Sequence, residues 1–115
     1  MKILVKWPTR SRPNKFLKTL YLYQSLRTTD NVHFLITIDS DDHRMLQRDV
    51  INTMRQWGNL RYEIMEPAGK IAAINHGLTD ISRQYDIIVL ASDDMIPVVK
   101  GWDKRISDDM ERISF

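Results

Sequence analysis

The sequence has no cysteine, and it contains only four glycines and four prolines among its 115 residues. A chain without cysteine forms no disulfide framework, no thiolate zinc site and no cysteine nucleophile. The longest uninterrupted apolar run, residues 87–91, is far too short to span a membrane, and residues 3–5 are too few for a signal-peptide core. These absences predict a soluble protein of a reducing, cytoplasmic environment.

Three glycine-dependent motifs are absent as well. No Gly-x-Gly-x-x-Gly follows the first apolar run, and neither Gly-x-x-x-x-Gly-Lys-Ser/Thr nor Gly-x-Ser-x-Gly occurs anywhere. The sequence therefore lacks the usual anchors of dinucleotide-binding domains, P-loop enzymes and serine hydrolases.

Acidic residues are missing from the first quarter of the chain, where the first one is Asp30. The whole chain has 17 Lys and Arg against 15 Asp and Glu, so the basic excess is concentrated before that residue. A local excess of this kind suits nucleic acid, a membrane surface or a phosphorylated small ligand, and a solvated helix face would also account for it. The basic residues are Lys2, Lys6, Arg10, Arg12, Lys15, Lys18 and Arg27.

The composition that remains, 43% hydrophobic and 28% charged, is ordinary for one folded domain. Short β-rich runs alternate with stretches whose apolar residues recur every three or four positions, which predicts the order βαβαβαβα. This order favours an α/β fold with a Rossmann-like, mostly parallel sheet and helices on both faces. We expect strands at 3–6, 32–38, 60–65 and 86–91, and helices at 13–26, 45–57, 71–81 and 99–113.

Two local features sharpen this expectation. Residues 86–91 contain the most hydrophobic run, so they are predicted to form the central strand, buried on both faces. The first strand is predicted to stop at Trp7-Pro8, because proline cannot donate to a strand ladder.

Parallel α/β sheets bind ligands outside the carboxyl ends of their strands, so the four loops that follow the strands are the candidate site. Basic side chains at a helix N-terminus suit phosphate oxygens. Neighbouring carboxylates would repel a bare phosphate, but a divalent cation between Asp94 and a diphosphate would remove that conflict. The loops offer, in chain order, Thr9, Arg10 and Arg12; Asp39, Asp41 and Asp42; Gly69 and Lys70; and Ser92, Asp93 and Asp94.

Four segments together resemble the N-terminal, nucleotide-binding half of a family 2 glycosyltransferase with the GT-A fold, and their order covers nearly the whole chain. They are Pro8-Thr9-Arg10-Ser11-Arg12, Asp39-Ser40-Asp41-Asp42, Gly69-Lys70 leading into Ala72-Ala73-Ile74-Asn75-His76-Gly77, and residues 85–94 ending in Ser92-Asp93-Asp94.

The resemblance implies a nucleotide-diphosphate sugar as ligand, UDP- or GDP-linked, with Mn²⁺ or Mg²⁺ as cofactor. Asp94 would ligate the metal, which neutralises the departing diphosphate. Asp39 would accept a hydrogen bond from the base, Asp93 would meet the ribose, and Lys70 would lie near the base or the diphosphate. The nucleotide would also lie against Pro8, Thr9, Arg10 and Arg12.

Members of that family continue into a second half, which carries the acceptor site and, in inverting enzymes, a general base. We therefore expect residues 1–115 to form a single donor-binding domain that lacks the acceptor half, and no catalytic base or acceptor is assigned. The sheet edge or helix face left uncovered would favour self-association.

Three other interpretations stay open. The domain could bind a nucleotide without transferring sugar. A response-regulator receiver is also a small parallel α/β domain with acids and a lysine at one edge, although its acidic pair should follow the first strand. A nucleic-acid module would need exposed stacking groups, but Tyr21 and Tyr23 fall on a helix, so we expect no nucleic-acid partner. An acidic pair after a strand, such as Asp41-Asp42, is often a turn or helix cap.

Overall fold

The computed structural model describes residues 1–75 and 82–112. The strands are β1 (Ile3–Thr9), β2 (Val32–Asp39), β3 (Leu60–Met65) and β4 (Ile87–Leu90). The helices are α1 (Pro13–Leu26), α2 (Arg48–Arg55), α3 (Lys70–Asn75) and α4 (Trp102–Arg112), and a short 3₁₀ helix spans Ser82–Gln84.

The four strands form one all-parallel sheet in the order β3-β2-β1-β4. The predicted α/β class and parallel sheet are therefore confirmed. The chain advances in one direction from β1 to β3 and then crosses back to β4, so right-handed crossovers place α3 on the face opposite α1 and α2. The strand order reverses between β1 and β4, and such a reversal opens a crevice at the carboxyl ends of the strands.

An aromatic cluster fills the core on the α1 face of the sheet. The fully buried Trp7 meets Phe16 and Tyr23 of α1 edge-on, with ring centroids 5.1 and 5.3 Å apart. Tyr23 in turn meets Trp102 of α4 at 5.3 Å. Edge-to-face packing of this kind stabilises a fold by more than the burial of apolar area alone. The aromatic cluster therefore holds β1, α1 and α4 against one another.

The prediction that residues 86–91 form the central strand is wrong. β4 pairs with β1 alone and lies at an edge of the described sheet, with Leu90 49% exposed. Hydrophobicity reports how apolar a strand is but not which strands flank it. The exposed apolar residues of this region include Met95, Ile96, Val98 and Val99, and self-association through it stays a prediction.

The prediction that Trp7-Pro8 ends the first strand is also wrong, because β1 continues to Thr9. The Lys6 carbonyl accepts a hydrogen bond from the Ala91 backbone N–H, so Lys6 faces β4, and alternation turns Pro8 to the same side. The pairing of β1 with β4 ends before Pro8. The missing N–H of Pro8 therefore removes no hydrogen bond between the two strands.

Two helices are shorter than their apolar periodicity predicts. Met45 is buried but lies in a turn, and α2 begins only at Arg48. α4 begins at Trp102, directly after Gly101, whose φ of +79° interrupts a helical path through Val99. The predicted continuations through residues 76–81 and at residue 113 lie outside the described residues. In the described part of the chain, no helix combines the length and apolar character needed to cross a membrane.

The buried carboxylate of Asp103 joins α4 to the segment that follows α1. It accepts hydrogen bonds from the backbone N–H of Thr28 at 2.9 Å and of Thr29 at 2.8 Å, and from both threonine hydroxyls. Burial opposes ionisation, but these donors hold the pKa of Asp103 below its ordinary value. The ionised carboxylate thus fixes the start of α4 on the domain.

We predict that Asp103→Asn lowers the free energy of unfolding by about 2 kcal/mol, because an amide cannot accept all these hydrogen bonds and buries unpaired donors instead. Urea denaturation monitored by circular dichroism measures the change. Asp108→Asn is the matched control on the same helix, since Asp108 pairs with the exposed Lys104 at 3.0 Å and its loss should cost less than about 1 kcal/mol. Equal effects of the two substitutions would contradict the anchoring role of Asp103.

Candidate functional site

A cavity of about 470 Å³ opens at the carboxyl end of the sheet, where the strand order reverses between β1 and β4. The segments that follow all four strands reach it, as the topology predicts for a ligand site. The residues that line it are Pro8, Thr9, Arg10, Arg12, Thr37, Asp39, Pro67, Gly69, Ala73, Ser92, Asp93 and Asp94.

Asp93 lies at the buried base of this cavity and is 2% exposed. Its two carboxylate oxygens accept hydrogen bonds from the Trp7 indole N–H at 2.8 Å and from the Thr9 hydroxyl at 3.0 Å. Burial raises the pKa of Asp93, while these two donors and the nearby Arg12 act in the opposite direction. Asp93 therefore connects the loop after β4 to the end of β1.

Asp94, the next residue, lies at the rim, with its side chain 58% exposed. Lys15 donates to its carboxylate, and the Arg12 guanidinium lies 3.4 Å from it. These two cations lower the pKa of Asp94. The rim of the cavity thus pairs one acidic side chain with two basic groups at the N-terminus of α1.

A second ion-pair group lies on the β2 side of the rim. Arg10 contacts Asp39 at 2.6 Å and Asp41 at 2.8 Å. The hydrogen bond from Arg10 lowers the pKa of Asp41, although desolvation opposes the change. Asp39 lines the cavity, whereas Asp41 lies outside its lining.

The turn between β1 and α1 separates Arg10 from Arg12. At its centre Ser11 has a φ of +60°, in the left-handed region that non-glycine residues rarely occupy. The buried carboxylate of Asp42 holds this conformation by accepting the Ser11 backbone N–H at 2.7 Å, and it also accepts the Met45 N–H at 3.3 Å. Asp42 is therefore a turn-capping residue, as one of the two interpretations of Asp41-Asp42 predicted.

The structure brings together almost all the residues that the sequence predicted for the site. Seven line the cavity, although their proposed ligand contacts stay predictions: Pro8, Thr9, Arg10, Arg12, Asp39, Asp93 and Asp94. Lys70 is the first residue of α3, next to the lining residue Gly69, and its side chain lies outside the described part. His76 and Gly77 of the resemblance also lie outside the described residues.

A divalent cation would find few protein ligands here. Within residues 1–75 and 82–112, no group of three or more His, Cys, Asp or Glu side chains could hold a metal ion. Asp94 offers one exposed carboxylate at the cavity rim. Mg²⁺ commonly binds through one or two carboxylates together with substrate phosphates, so the donor set fits a metal that arrives with a diphosphate.

Sequence reasoning missed three side chains that belong to this site. Lys15 contacts Asp94, and its position three residues after Arg12, on the first turn of α1, was the available signal. Thr37 lines the cavity from β2, two residues before Asp39 and therefore on the same face of the strand. Lys6 donates a hydrogen bond to the Thr37 hydroxyl from the centre of β1.

Lys6 is fully buried in a central strand of the sheet. Its neighbours Val5 and Trp7 belong to the core on the α1 face, so alternation places Lys6 on the opposite face. Burial lowers the pKa of Lys6 to about 8, and the negative charge of Glu63 partly opposes the shift. A lysine in this position costs stability when it is protonated.

We predict that the free energy of unfolding rises as the pH increases from about 8 towards 10. In this window Lys6 is still protonated in the unfolded chain but has lost its proton in the folded chain. The difference adds roughly 2 to 3 kcal/mol to the free energy of unfolding across the window. Urea denaturation across the window should show this rise in the wild type and a smaller one in Lys6→Met. Lys18→Met, which removes an exposed ammonium of α1, should keep the wild-type slope. Parallel curves for the wild type and Lys6→Met would refute the assignment.

No protein-family model matches the chain, and no curated protein matches it. The assignment of a function therefore depends on the geometry and the charges of the cavity described above.

Proposed function

We propose that this domain binds a nucleotide-diphosphate sugar complexed with Mn²⁺ or Mg²⁺, as the donor-binding part of a glycosyltransferase similar to family 2 enzymes of the GT-A fold. One observation carries the proposal: both Arg12 and Lys15 converge on Asp94 at the rim of a cavity located where the strand order reverses. Cations and a carboxylate in contact at such a position suit a ligand that is itself a metal-complexed polyanion.

The diphosphate is assigned to the basic side of the rim. Arg12 directly precedes α1 and Lys15 belongs to its first turn, where unpaired backbone N–H groups and the helix dipole also favour an anion. The guanidinium can bind two phosphate oxygens at once, and the ammonium acts as a point charge beside it. Both cations contact Asp94, which holds them at the rim.

The metal is assigned to Asp94 and the diphosphate together. A divalent cation at that carboxylate would replace the charge that Arg12 and Lys15 now supply, so both side chains become available to the phosphates. The metal would neutralise the negative charge that develops on the departing diphosphate. Its binding should therefore depend on the nucleotide.

The nucleoside is assigned to the β2 side of the cavity. Asp39 lies there with one carboxylate oxygen on Arg10, and Thr9 lines the same cavity from the end of β1. In the transfer itself, an acceptor hydroxyl would form a bond to the anomeric carbon as the bond to the diphosphate breaks. The residue that removes the hydroxyl proton is not assigned.

We predict that Asp94→Ala abolishes the metal dependence of nucleotide binding, because it removes the only carboxylate assigned to the metal. Calorimetric titration of UDP, GDP, CDP and ADP, with Mn²⁺ and again with EDTA, measures this dependence. Asp41→Ala is the matched control, since it removes a rim carboxylate that does not line the cavity. Metal-dependent affinity retained in Asp94→Ala would overturn the metal assignment.

We also predict that Lys15→Met weakens the binding of the nucleoside diphosphate about tenfold in the presence of Mn²⁺, since it removes one charge-assisted contact to the phosphates. The affinity for the corresponding nucleoside should stay within about twofold of the wild-type value. Lys18→Met, one turn further along α1, is the control and should bind both ligands normally. Equal losses for nucleoside and diphosphate would show that Lys15 acts on the fold of the site instead.

A second candidate function is nucleotide binding without sugar transfer. The carboxylates that line the cavity, Asp39, Asp93 and Asp94, each hold a cation or a hydrogen-bond donor of the protein. Because each of the three is already engaged with a protein group, none of them is assigned as a general base. A radiolabelled-sugar assay with simple glycoside acceptors separates the two functions, since both require binding but only one gives a labelled product.

A further inference from the structure

The Lys6–Thr37 contact lies directly beneath the cavity, and the proposed function does not use it. Lys6 is 0% exposed and Thr37 is 1% exposed, yet Thr37 contributes to the cavity lining. Pro8, which pairs with Thr37 in the sheet, and Asp39, two residues further along β2, also line the cavity. A polar pair is therefore built into the floor of the site on the face of the sheet that carries α3.

The chemistry of the pair determines the direction of its hydrogen bonds. An ammonium group has donors only, so the Thr37 oxygen must be the acceptor of the Lys6 proton. The hydroxyl hydrogen of Thr37 is then available for a different acceptor. Within residues 1–75 and 82–112, the hydrogen bond seen at the Thr37 hydroxyl is the one that it accepts from Lys6. A ligand in the cavity can supply an acceptor for the hydroxyl hydrogen.

Asp39 presents the complementary group on the same face of β2. Its Oδ2 atom accepts from Arg10 at 2.6 Å, and its Oδ1 atom has no hydrogen-bond partner in the described part of the chain. Residues two apart on a strand lie about 7 Å from each other at Cα. The cavity floor therefore offers a hydrogen-bond donor at Thr37 and an acceptor at Asp39, two residues apart on one face of β2.

Nucleobases fall into two classes with respect to such a pair. Uracil and guanine carry a keto oxygen next to a ring N–H, which complements a donor beside an acceptor. Cytosine and adenine carry an exocyclic amino group next to a bare ring nitrogen, which places donor against donor. The buried ammonium of Lys6 would strengthen the preference, because it polarises the Thr37 hydroxyl as a donor.

We propose that the Lys6–Thr37 pair is a specificity-determining subsite that binds the keto oxygen of the ligand's base, with Asp39 accepting the adjacent ring N–H. The inference rests on the proposed nucleotide-binding function and adds to it two residues, Lys6 and Thr37, that would select the keto bases of the UDP- or GDP-linked donors that the resemblance implies. Lys6 acts through Thr37, whose hydroxyl it orients and polarises, and is therefore a positioning residue.

The test compares dissociation constants for UDP against CDP, and for GDP against ADP, by calorimetry with Mn²⁺. The wild type should prefer the keto base of at least one pair by about tenfold or more. Thr37→Val keeps the shape of the side chain but removes the hydroxyl, and it should reduce that preference to about twofold. The loss should come from weaker binding of the keto nucleotide. Thr37→Ser, which keeps the hydroxyl, should restore most of the preference.

Two further variants complete the design. Thr53→Val makes the same substitution on α2, where the hydroxyl donates to the Asp49 carbonyl at 2.8 Å, and it should leave the preference unchanged. Lys6→Met should lower the preference about threefold, because the Thr37 hydroxyl would lose its fixed direction. Lys6→Met decides the question if circular dichroism shows that Thr37→Val does not fold.

The possible results separate this inference from the function on which it rests. Nucleotide binding with an unchanged keto preference in Thr37→Val and Lys6→Met, or a wild type that prefers CDP and ADP, would overturn the subsite and leave the proposed function standing. Failure of the wild type to bind any of the four nucleotides would overturn both.

Discussion

The geometry of the cavity depends on one buried carboxylate. Asp93 belongs to the loop after β4, but its oxygens are held by Trp7 and Thr9 of β1, across the point where the strand order reverses. The Asp93 carbonyl also accepts the Thr19 hydroxyl, so α1 is bound to the same loop. Because an unpaired buried carboxylate is costly, any movement that separated β4 from β1 would break bonds that the fold must keep. The rim residues Arg12 and Asp94 are thereby positioned by the core.

At the rim, each carboxylate that lines the cavity is paired with a basic side chain. Asp94 is held by Arg12 and Lys15, and Asp39 is held by Arg10. A metal-complexed diphosphate brings one cation and one polyanion, and each can exchange partners with these pairs. In the proposed site such an exchange couples the two ligands, and the coupling is reciprocal: the metal strengthens nucleotide binding by the factor by which the nucleotide strengthens metal binding.

The sequence was a good guide to the elements but not to their order in the sheet. The apolar spacing of α1 predicted its bounds because one face of that helix packs on the core, which includes Phe16 and Tyr23. The same reasoning failed for β4, since an apolar strand at the edge of a sheet carries the same local pattern as one at the centre. Pro8 misled the prediction because its effect depends on whether a neighbouring strand faces its nitrogen, which is a property of the assembled sheet.

The cavity residues at the strand ends were predictable because topology alone places them at one edge, whereas Thr37 and Lys6 were not. Both lie within strands, where local pattern reports burial and not chemistry. Lys6 is nevertheless the most informative residue of β1, because a buried lysine contradicts the apolar environment of a central strand. Conflicts between a residue and its fold are expected where function requires them. The lowered pKa of Lys6 measures that conflict, and its contact with the Thr37 hydroxyl, a group of the cavity lining, connects the cost in stability to the site.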